Sequence, residues 1–394
     1  MINFKIVMSI RNLILVLGSI GINLLYVDHF ALAQSWQPDR VLNTNWSSIA
    51  LSANGDRQAA AIYGGGIYAS TNSGNSWFLT TAPSSLWESL ACSADGLKLV
   101  AAASSGQIYT STDGGNNWIS NNVPTEFWVA TTSSSNGSNL VALCFYDALI
   151  YNSTNAGATW SAVTVPAVSW RSVASSADGS KCVAAVIGGN IYVSTNAGAA
   201  WNLTSAPTNS WSSVASSSDG VKLVATDAGG GGIYVSTDSG GTWTLTSAPS
   251  NSWYSVTSSA NGTQLTAAAG GPFASGPLYT STNSGATWFR TAAPNGAWYS
   301  VASSASGNKL AATIYGGLIY SWEYTPTLSI SFNTNALISW VAAPTDYTLQ
   351  QNNNLATTNW ITLTNTPLFD STNSLNITIL KFSGSNSFFR LIGQ

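Results

Sequence analysis

The chain consists of short runs in which apolar residues alternate with small polar ones, and each run ends at turn-forming residues. Residues 170–201 show the pattern in the order W-R-S-V-A-S-S, A-D-G, K-C-V-A-A, I-Y-V-S and T-N-A-G-A-A-W. An apolar period of two predicts β-strands, and Asp-Gly or Asn-Gly pairs, as at Asp178-Gly179 and Asn261-Gly262, predict tight turns between them. No segment has the 3.6-residue period of a capped helix, so we predict an all-β protein.

Tryptophan marks the repeat. Fourteen of the 17 Trp residues form pairs ten residues apart, and successive pairs are offset by 41 to 45 residues. The pairs are Trp36/Trp46, Trp77/Trp87, Trp118/Trp128, Trp160/Trp170, Trp201/Trp211, Trp243/Trp253 and Trp288/Trp298. Each repeat holds four predicted strands, a to d, with strand a starting at the second Trp of a pair and strand d at the first Trp of the next. This arrangement predicts a seven-bladed β-propeller over residues 34–324.

The turn between strands c and d carries the motif Ser-x-Asp/Asn-x-Gly-x-x-Trp. We expect a structural role: the Asp or Asn side chain accepts backbone hydrogen bonds, Gly takes a left-handed conformation and Trp packs between sheets. Calcium binding is not expected, because the Asp/Asn position of the motif holds the neutral Asn in four of the six copies. The six copies are Ser70/Asn72/Gly74/Trp77, Ser111/Asp113/Gly115/Trp118, Ser153/Asn155/Gly157/Trp160, Ser194/Asn196/Gly198/Trp201, Ser236/Asp238/Gly240/Trp243 and Ser281/Asn283/Gly285/Trp288.

These copies resemble the Asp-box, or BNR, repeats of sialidase-like β-propellers. The resemblance extends over residues 35–323 and implies the fold. It leaves the activity open, because Asp boxes occur in sialidases, sortilin-type receptors, xyloglucan hydrolases and photosystem II assembly-factor-like proteins.

The two ends of the repeat region indicate how the ring closes. Trp36 has the position of a strand-d Trp without a box before it, and Ser321 has the position of a box Ser without the rest of the box. We therefore expect residues 35–42 to supply strand d of the last blade. Closure by this N-terminal strand removes an exposed sheet edge.

The N-terminal residues 1–33 have the pattern of a secretory signal peptide. Lys5 and Arg11 precede an apolar run, and Ala31-Leu32-Ala33 offers a cleavage site before Gln34. The alternative is a membrane anchor, which the shortness of the run disfavours. The prediction is a secreted, extracellular or cell-surface protein, with the periplasm also open, and no membrane span after cleavage.

Composition limits the chemistry. Charged residues make up 7% of the chain, against about 25% in an average protein, and the net charge is −3, so a nucleic-acid partner is not expected. Cleavage would remove His29, the only histidine, and with it any His base or His-ligated metal. Cys92, Cys144 and Cys182 lie in apolar strands and are interpreted as buried thiols. We predict no metal, no cofactor and a monomer.

The seven copies differ most at the start of strand a and in the b–c turn, which the predicted topology places on the face opposite the Asp boxes. Positions that escape the repeat pattern are where a specific surface can evolve. The candidate ligand-binding residues on this face are Glu88, Tyr146, Asp147, Arg171, Asp227, Tyr254 and Tyr299. The strand-a Trp residues either open onto the same face, where they could stack on sugars, or wedge between blades.

Two functional hypotheses follow. The first is a non-catalytic recognition module that binds a glycan or a protein. The second is a glycoside hydrolase that uses two of Glu88, Glu126, Asp147 and Asp227 on the same face. A sialidase-like site needs three arginines, whereas this face is expected to hold only Arg171, so we favour the recognition module.

The Trp pairs cease after Trp322, and residues 325–394 predict a separate module. Six strands are expected at residues 327–332, 336–340, 347–350, 360–363, 376–380 and 388–391. The module resembles a small fibronectin type III or Ig-like sandwich of the kind attached to secreted proteins of environmental bacteria. It is interpreted as a spacer or as a means of surface attachment or glycan contact.

Overall fold

The computed structural model describes residues 7–9, 12–17, 36–165, 169–324, 328–332, 336–341, 347–352, 359–363, 368–370, 375–380 and 387–393. The chain divides into two compact units. One comprises Ser35–Glu323, and the other combines Met1–Gln34 with Tyr324–Gln394. The described residues form strands and turns without any helix, and so contain no helix that could cross a membrane.

The unit Ser35–Glu323 consists of seven antiparallel four-stranded blades, which confirms the predicted fold. Strand d is only two residues long in most blades and begins just after the Trp predicted to start it. Strands a to d are Thr44–Leu51, Gln58–Gly65, Ile67–Ser70 and Phe78–Leu79 in blade 1; Ser85–Cys92, Leu99–Gly106, Ile108–Ser111 and Ile119–Ser120 in blade 2; Glu126–Ser133, Leu140–Cys144, Leu149–Ser153 and Ser161–Thr164 in blade 3; Trp170–Ser175, Cys182–Gly189, Ile191–Ser194 and Asn202–Leu203 in blade 4; Asn209–Ser216, Leu223–Asp227, Ile233–Ser236 and Thr244–Leu245 in blade 5; Trp253–Ser258, Leu265–Ala269, Leu278–Ser281 and Phe289–Arg290 in blade 6; and Trp298–Ser303, Lys309–Gly317, Ile319–Glu323 and Gln37–Pro38 in blade 7.

The ring is closed, and the N-terminal strand completes blade 7 as expected. Gln37 pairs with Ser321 and Pro38 with Tyr320. A cycle of backbone hydrogen bonds also runs through the a–b turns, where each N–H donates to the carbonyl of the next turn at 2.7 to 2.8 Å and the last donates back to the first. Its members are Ala53, Ala94, Ser135, Ala177, Ser218, Ala260 and Ala305.

The strand-a Trp residues are wedged between blades. All seven are 0% exposed, which excludes the alternative of an open Trp ring on the surface. Trp87 of blade 2, for example, shares a buried apolar cluster with Ala61 and Ile67 of blade 1 and meets Tyr109 of its own blade edge-on at 5.3 Å. Every blade repeats this Trp–Tyr contact, so each junction buries one large aromatic anchor.

A belt of serine hydroxyls joins neighbouring strands a. The backbone N–H three residues after the strand-a Trp donates to a Ser Oγ of the preceding blade, as from Leu90 to Ser48 at 2.9 Å and from Val214 to Ser172 at 3.0 Å. Six of the seven junctions have this bond. At the junction of blades 3 and 4 the hydroxyl is missing, because blade 3 has Ala130 at that position.

The six c–d turns with the Ser-x-Asp/Asn-x-Gly-x-x-Trp motif, for which we keep the name Asp boxes, are held together by their buried serines. Ser194, 1% exposed, donates a hydrogen bond to Asn196 Oδ1 at 2.9 Å. It also accepts the N–H of the box glycine, and every box repeats this bond at 2.9 to 3.0 Å. The donors are the N–H groups of Gly74, Gly115, Gly157, Gly198, Gly240 and Gly285.

The expected reason for glycine in the box is only partly right. The box glycines do have positive φ, from 82° to 94°, but the residue before each glycine is left-handed as well, and five of these residues are Ser or Ala with φ of 56° to 59°. Close packing is the stronger requirement, because a Cβ on the glycine would lie against a side chain of the preceding blade. The distance would be 2.8 to 3.1 Å at Gly115, Gly157, Gly198, Gly240 and Gly285, and at Gly74 the Cβ would overlap Asp39.

The box Asp and Asn side chains accept the expected backbone hydrogen bond, from the residue four positions on, at 2.8 to 2.9 Å. The asparagines differ from the expectation in two ways. All four are exposed, so the buried polar group of each box is the serine. Three of them also donate through Nδ2 to a hydroxyl at 2.8 to 2.9 Å, Asn72 to Ser76, Asn155 to Thr159 and Asn283 to Thr287. The box Trp side chains are likewise only partly buried.

The other unit contains two antiparallel sheets. One has Leu328–Phe332, Ala336–Val341, Leu375–Leu380 and Leu368–Asp370, and the other has Val7–Ser9, Asn12–Leu17, Ser387–Gly393, Tyr347–Asn352 and Ile361–Thr362. The six predicted C-terminal strands are therefore present, with Leu368–Asp370 in addition. Leu15 in the predicted signal peptide pairs with Phe389. The signal peptide and the sandwich packing of the C-terminal module stay predictions.

Candidate functional site

The Asp-box turns and the a–b turns lie on the same face of the propeller. In six blades the N–H of the residue before the box Gly donates to an a–b turn carbonyl, as from Ser73 to Asp56 at 2.9 Å and from Ala197 to Ser180 at 2.8 Å. We call this the Asp-box face. The strand-a starts and b–c turns lie at the opposite ends of these strands, and we call that side the variable face.

Four of the predicted ligand-binding residues meet at the centre of the ring. Glu88, Arg171, Tyr254 and Tyr299 each follow the strand-a Trp of a different blade. Arg171 donates a hydrogen bond to the Tyr254 hydroxyl at 2.7 Å, and its guanidinium lies 5.1 Å from the centre of the Tyr254 ring. Because these residues come from blades 2, 4, 6 and 7, they can meet only near the propeller axis. We call them the central cluster.

Aromatic contacts extend the central cluster toward the b–c turn of blade 7. Tyr254 and Tyr299 have ring centres 4.8 Å apart, and Tyr315 stacks on Tyr299 at 5.5 Å. The Tyr299 hydroxyl lies 3.5 Å from Glu88 Oε2. The result is a polar and aromatic platform, with one guanidinium and one carboxylate among three tyrosine rings.

The electrostatics of the central cluster follow from partial burial. Burial raises the pKa of Glu88, while the positive charge of Arg171 and the hydroxyl of Tyr299 act in the opposite direction. Burial also raises the pKa of Tyr299, and the neighbouring Tyr254 and Glu88 add to the effect. Arg171 stays charged and offers donors to a carbonyl or carboxylate, whereas Glu88 and the tyrosine hydroxyls offer acceptors.

The structure does not bring the other three candidates into the central cluster. Asp227 is 8% exposed, and its Oδ1 accepts the N–H of Gly229 at 2.8 Å, so it caps its own b–c turn. Tyr146 is 68% exposed and packs edge-on against Phe127 at 5.2 Å. Asp147 lies in a different group of side chains in blade 3.

The three cysteines are free thiols, and the interpretation of all three as buried is right for two of them. Cys144 and Cys182 are buried, whereas Cys92 is only partly buried at the end of strand a of blade 2. Its sulfur donates to the carbonyl of Leu51 in blade 1 at 3.1 Å. Cys92 therefore contributes to a blade junction.

Sequence reasoning did not single out two features of the variable face. Phe273 is 99% exposed in the long b–c loop of blade 6, where Gly270 and Gly271 both have positive φ. The length of this loop, which accounts for the 45-residue offset between the last two Trp pairs, was the available signal. The second feature is the approach of Glu126 and Cys144 to Asp147, with one donor atom of each within 4.8 Å of the others.

Comparison with known proteins supports the fold. No protein-family model and no curated protein matches the chain. It is similar to the structure of YCF48 from Cyanidioschyzon merolae, with 16% identity over 73% of this chain and 98% of that one and a TM-score of 0.59.

Two further structures are similar. One is YCF48 bound to D1 peptide, with 16% identity over 74% of this chain and 96% of that one and a TM-score of 0.56. The other is the Cps50 (Swd1) β-propeller domain of Myceliophteria thermophila, with 14% identity over 74% and 100% of the two chains and a TM-score of 0.59. The fold is a β-propeller. At these identities the likeness extends to the fold alone.

Proposed function

We propose that this protein is a non-catalytic recognition propeller that binds a protein segment through its variable face. The central cluster is the observation that carries the proposal. Four blades contribute a carboxylate, a guanidinium and two phenols at one repeat position. These side chains meet through the Arg171–Tyr254 hydrogen bond, the Tyr254–Tyr299 ring contact and the approach of Tyr299 to Glu88. A scaffold alone would be served by the small residues that other blades have there, Ser47 and Ser212.

A protein ligand fits the surface better than a glycan does. The Trp ring that could have stacked on sugars is buried between blades. The variable face instead exposes Phe273 and Tyr146, and exposed aromatic residues are typical anchors in protein interfaces. YCF48, a structure of the same fold, has been solved with a peptide bound, which supports a peptide as the class of ligand.

Charge suggests which segments would bind. Glu88, Glu126 and Asp147 outnumber the single arginine of the central cluster, so the variable face carries more negative than positive charge. Complementary charge guides association and selects partners. We expect the bound segment to carry Lys or Arg together with an aromatic residue.

A random peptide library displayed on phage and a glycan array, each probed with the whole chain, test the proposal. Selected peptides are expected to be basic and aromatic, and Arg171→Ala or Tyr254→Ala should weaken their affinity at least about tenfold, or about 1.4 kcal/mol. Arg57→Ala is the matched control, because Arg57 packs against the Gly96 turn on the Asp-box face.

Three results would overturn the proposal in different ways. Equal binding by all variants would show that the wrong face was chosen. Glycan binding that depends on Arg171 or Tyr254, without peptide binding, would identify a lectin. Sugar release from polysaccharides that Glu88→Gln abolishes would identify the protein as a glycoside hydrolase.

A further inference from the structure

Blade 3 gathers three metal-ligating side chains beside the variable face. Glu126 begins strand a, Cys144 ends strand b and Asp147 lies in the turn that follows. One donor atom of each lies within 4.8 Å of the others, and Cys144 Sγ is 3.7 Å from Glu126 Oε2. Cys144 is 1% exposed, whereas the two carboxylates are only partly buried. The group thus has a buried sulfur at its base and carboxylates toward solvent.

All three residues depart from the repeat. Cys144 pairs with the strand-a Trp128, and the residues paired with that Trp in the other blades are Ile62, Ala103, Val186, Asp227, Ala269 and Ile314. The residues at the position of Glu126, two before the Trp, are Thr44, Ser85, Val168, Asn209, Asn251 and Gly296. Blade 3 alone therefore combines a thiol and a carboxylate at these two positions, and its turn adds a second carboxylate.

The donor set selects the kind of cation. A thiolate is a soft ligand that Zn²⁺ accepts and that Ca²⁺ and Mg²⁺ do not favour. Three protein ligands leave the fourth tetrahedral position of zinc open to water or to a ligand.

We propose that Glu126, Cys144 and Asp147 bind one Zn²⁺ ion per chain. On binding, the Cys144 thiol releases its proton to solvent and its sulfur joins the two carboxylates as a ligand. The cation also relieves the repulsion between two carboxylates and a thiolate held this close. The site does not depend on the proposed peptide ligand, because its three ligands all come from blade 3.

The whole chain is titrated with Zn²⁺ by calorimetry and with Cd²⁺ by ultraviolet absorption. We expect one ion per chain, a sulfur-to-cadmium charge-transfer band, and a rise in melting temperature with Zn²⁺. Glu126→Gln and Asp147→Asn should each weaken Zn²⁺ binding by at least about tenfold. Cys144→Ser should abolish the cadmium band. Cys182→Ser, which removes a buried thiol from blade 4, is the matched control and should leave binding unchanged.

Either of two results would overturn the proposal. One is the absence of stoichiometric zinc or cadmium binding by the wild-type chain. The other is Zn²⁺ binding that is unchanged by Glu126→Gln and by Asp147→Asn. Each of these substitutions replaces a partly buried carboxylate by an amide of the same shape. If Cys144→Ser fails to fold, these two variants still decide the matter.

Discussion

On the Asp-box face the seven a–b turns donate backbone hydrogen bonds to one another in a complete cycle, whereas on the variable face the residues after the strand-a Trp range from Ser47 to Arg171. The two faces are made by the same repeats. The difference lies in which atoms form the contacts. The Asp-box face is joined by backbone groups in all seven copies and by box side chains in six, while the variable face is joined by side chains that each copy can change.

Within one strand a, adjacent residues contribute separately to stability and to recognition. A strand-a Trp and the residue after it are adjacent in sequence, yet one anchors a blade junction and the other lies in the central cluster. Substitutions at neighbouring positions should therefore have different consequences.

Trp253→Ala should have the largest effect. Trp253 is 0% exposed between blades, so the substitution should lower the free energy of unfolding by about 3–5 kcal/mol. Tyr254→Ala, one residue later, removes a hydrogen bond and a ring contact at a partly exposed site and should cost at most about 1–2 kcal/mol. Chemical denaturation of both variants measures the difference. Equal losses would show that the central cluster is part of the scaffold.

Asp39 is the irregular element of the Asp-box face. It follows Trp36 by three residues, and at this position the other blades have Thr80, Asn121, Val163, Thr204, Thr246 and Thr291. Burial raises the pKa of Asp39 from 3.8 to about 7, against the hydrogen bond from Trp77 Nε1 at 3.2 Å that favours its charged form. A carboxylate thus occupies a site built for neutral side chains, at the seam where the ring closes.

Stability should therefore fall as pH rises. The folded protein binds a proton at Asp39 that the unfolded chain has lost, so stability decreases between pH 3.8 and about 7 and levels off above that. Asp39→Asn should remove the contribution of Asp39 to this slope and raise stability above pH 7, by on the order of a few kcal/mol. Glu88, whose pKa burial also raises, leaves a slope of the same sign. Melting temperature against pH measures it.

Asp178→Asn is the control for the Asp39 prediction. Hydrogen bonds from Ser176 and Ser180 lower the pKa of Asp178 to about 2, so its contribution is lost as pH falls and has the opposite sign. A wild-type protein whose stability does not change between pH 4 and pH 7 would contradict the role given to Asp39.

The sequence was sufficient to predict the fold because the same strand and turn pattern recurs in every repeat. A strand assignment that is ambiguous in one copy is resolved by comparison with the others. The central cluster was predictable for a related reason. Glu88, Arg171, Tyr254 and Tyr299 share one register position, so sevenfold geometry brings them together. Asp227 and Tyr146 were chosen from b–c turns, whose lengths differ. The side-chain direction there depends on local backbone geometry, and the Asp227 side chain accepts the N–H of Gly229 in its own turn.

The group in blade 3 was beyond sequence reasoning. The pairing of strands a and b shifts register between Trp128 and Ala130, and this shift decides what lies beside Cys144. Cys144 itself had the appearance of an apolar strand residue. Only the three-dimensional arrangement places Glu126 and Asp147 next to its sulfur.

Ala130→Ser should have the smallest effect. It tests whether blade 3 differs from the other blades at its junction as well as in its residues on the variable face. Residue 130 of blade 3 is equivalent to Ser172 of blade 4, whose hydroxyl accepts the N–H of Val214 in blade 5. The new hydroxyl should accept the N–H of Val173 and raise the free energy of unfolding by about 0.5–1.5 kcal/mol. Ser172→Ala, which removes the equivalent bond, should cost a similar amount. Suppose that Ser172→Ala destabilises the protein and Ala130→Ser gives no gain. The junction of blades 3 and 4 is then packed differently from the other six, and the divergence of blade 3 extends into the belt of serine hydroxyls.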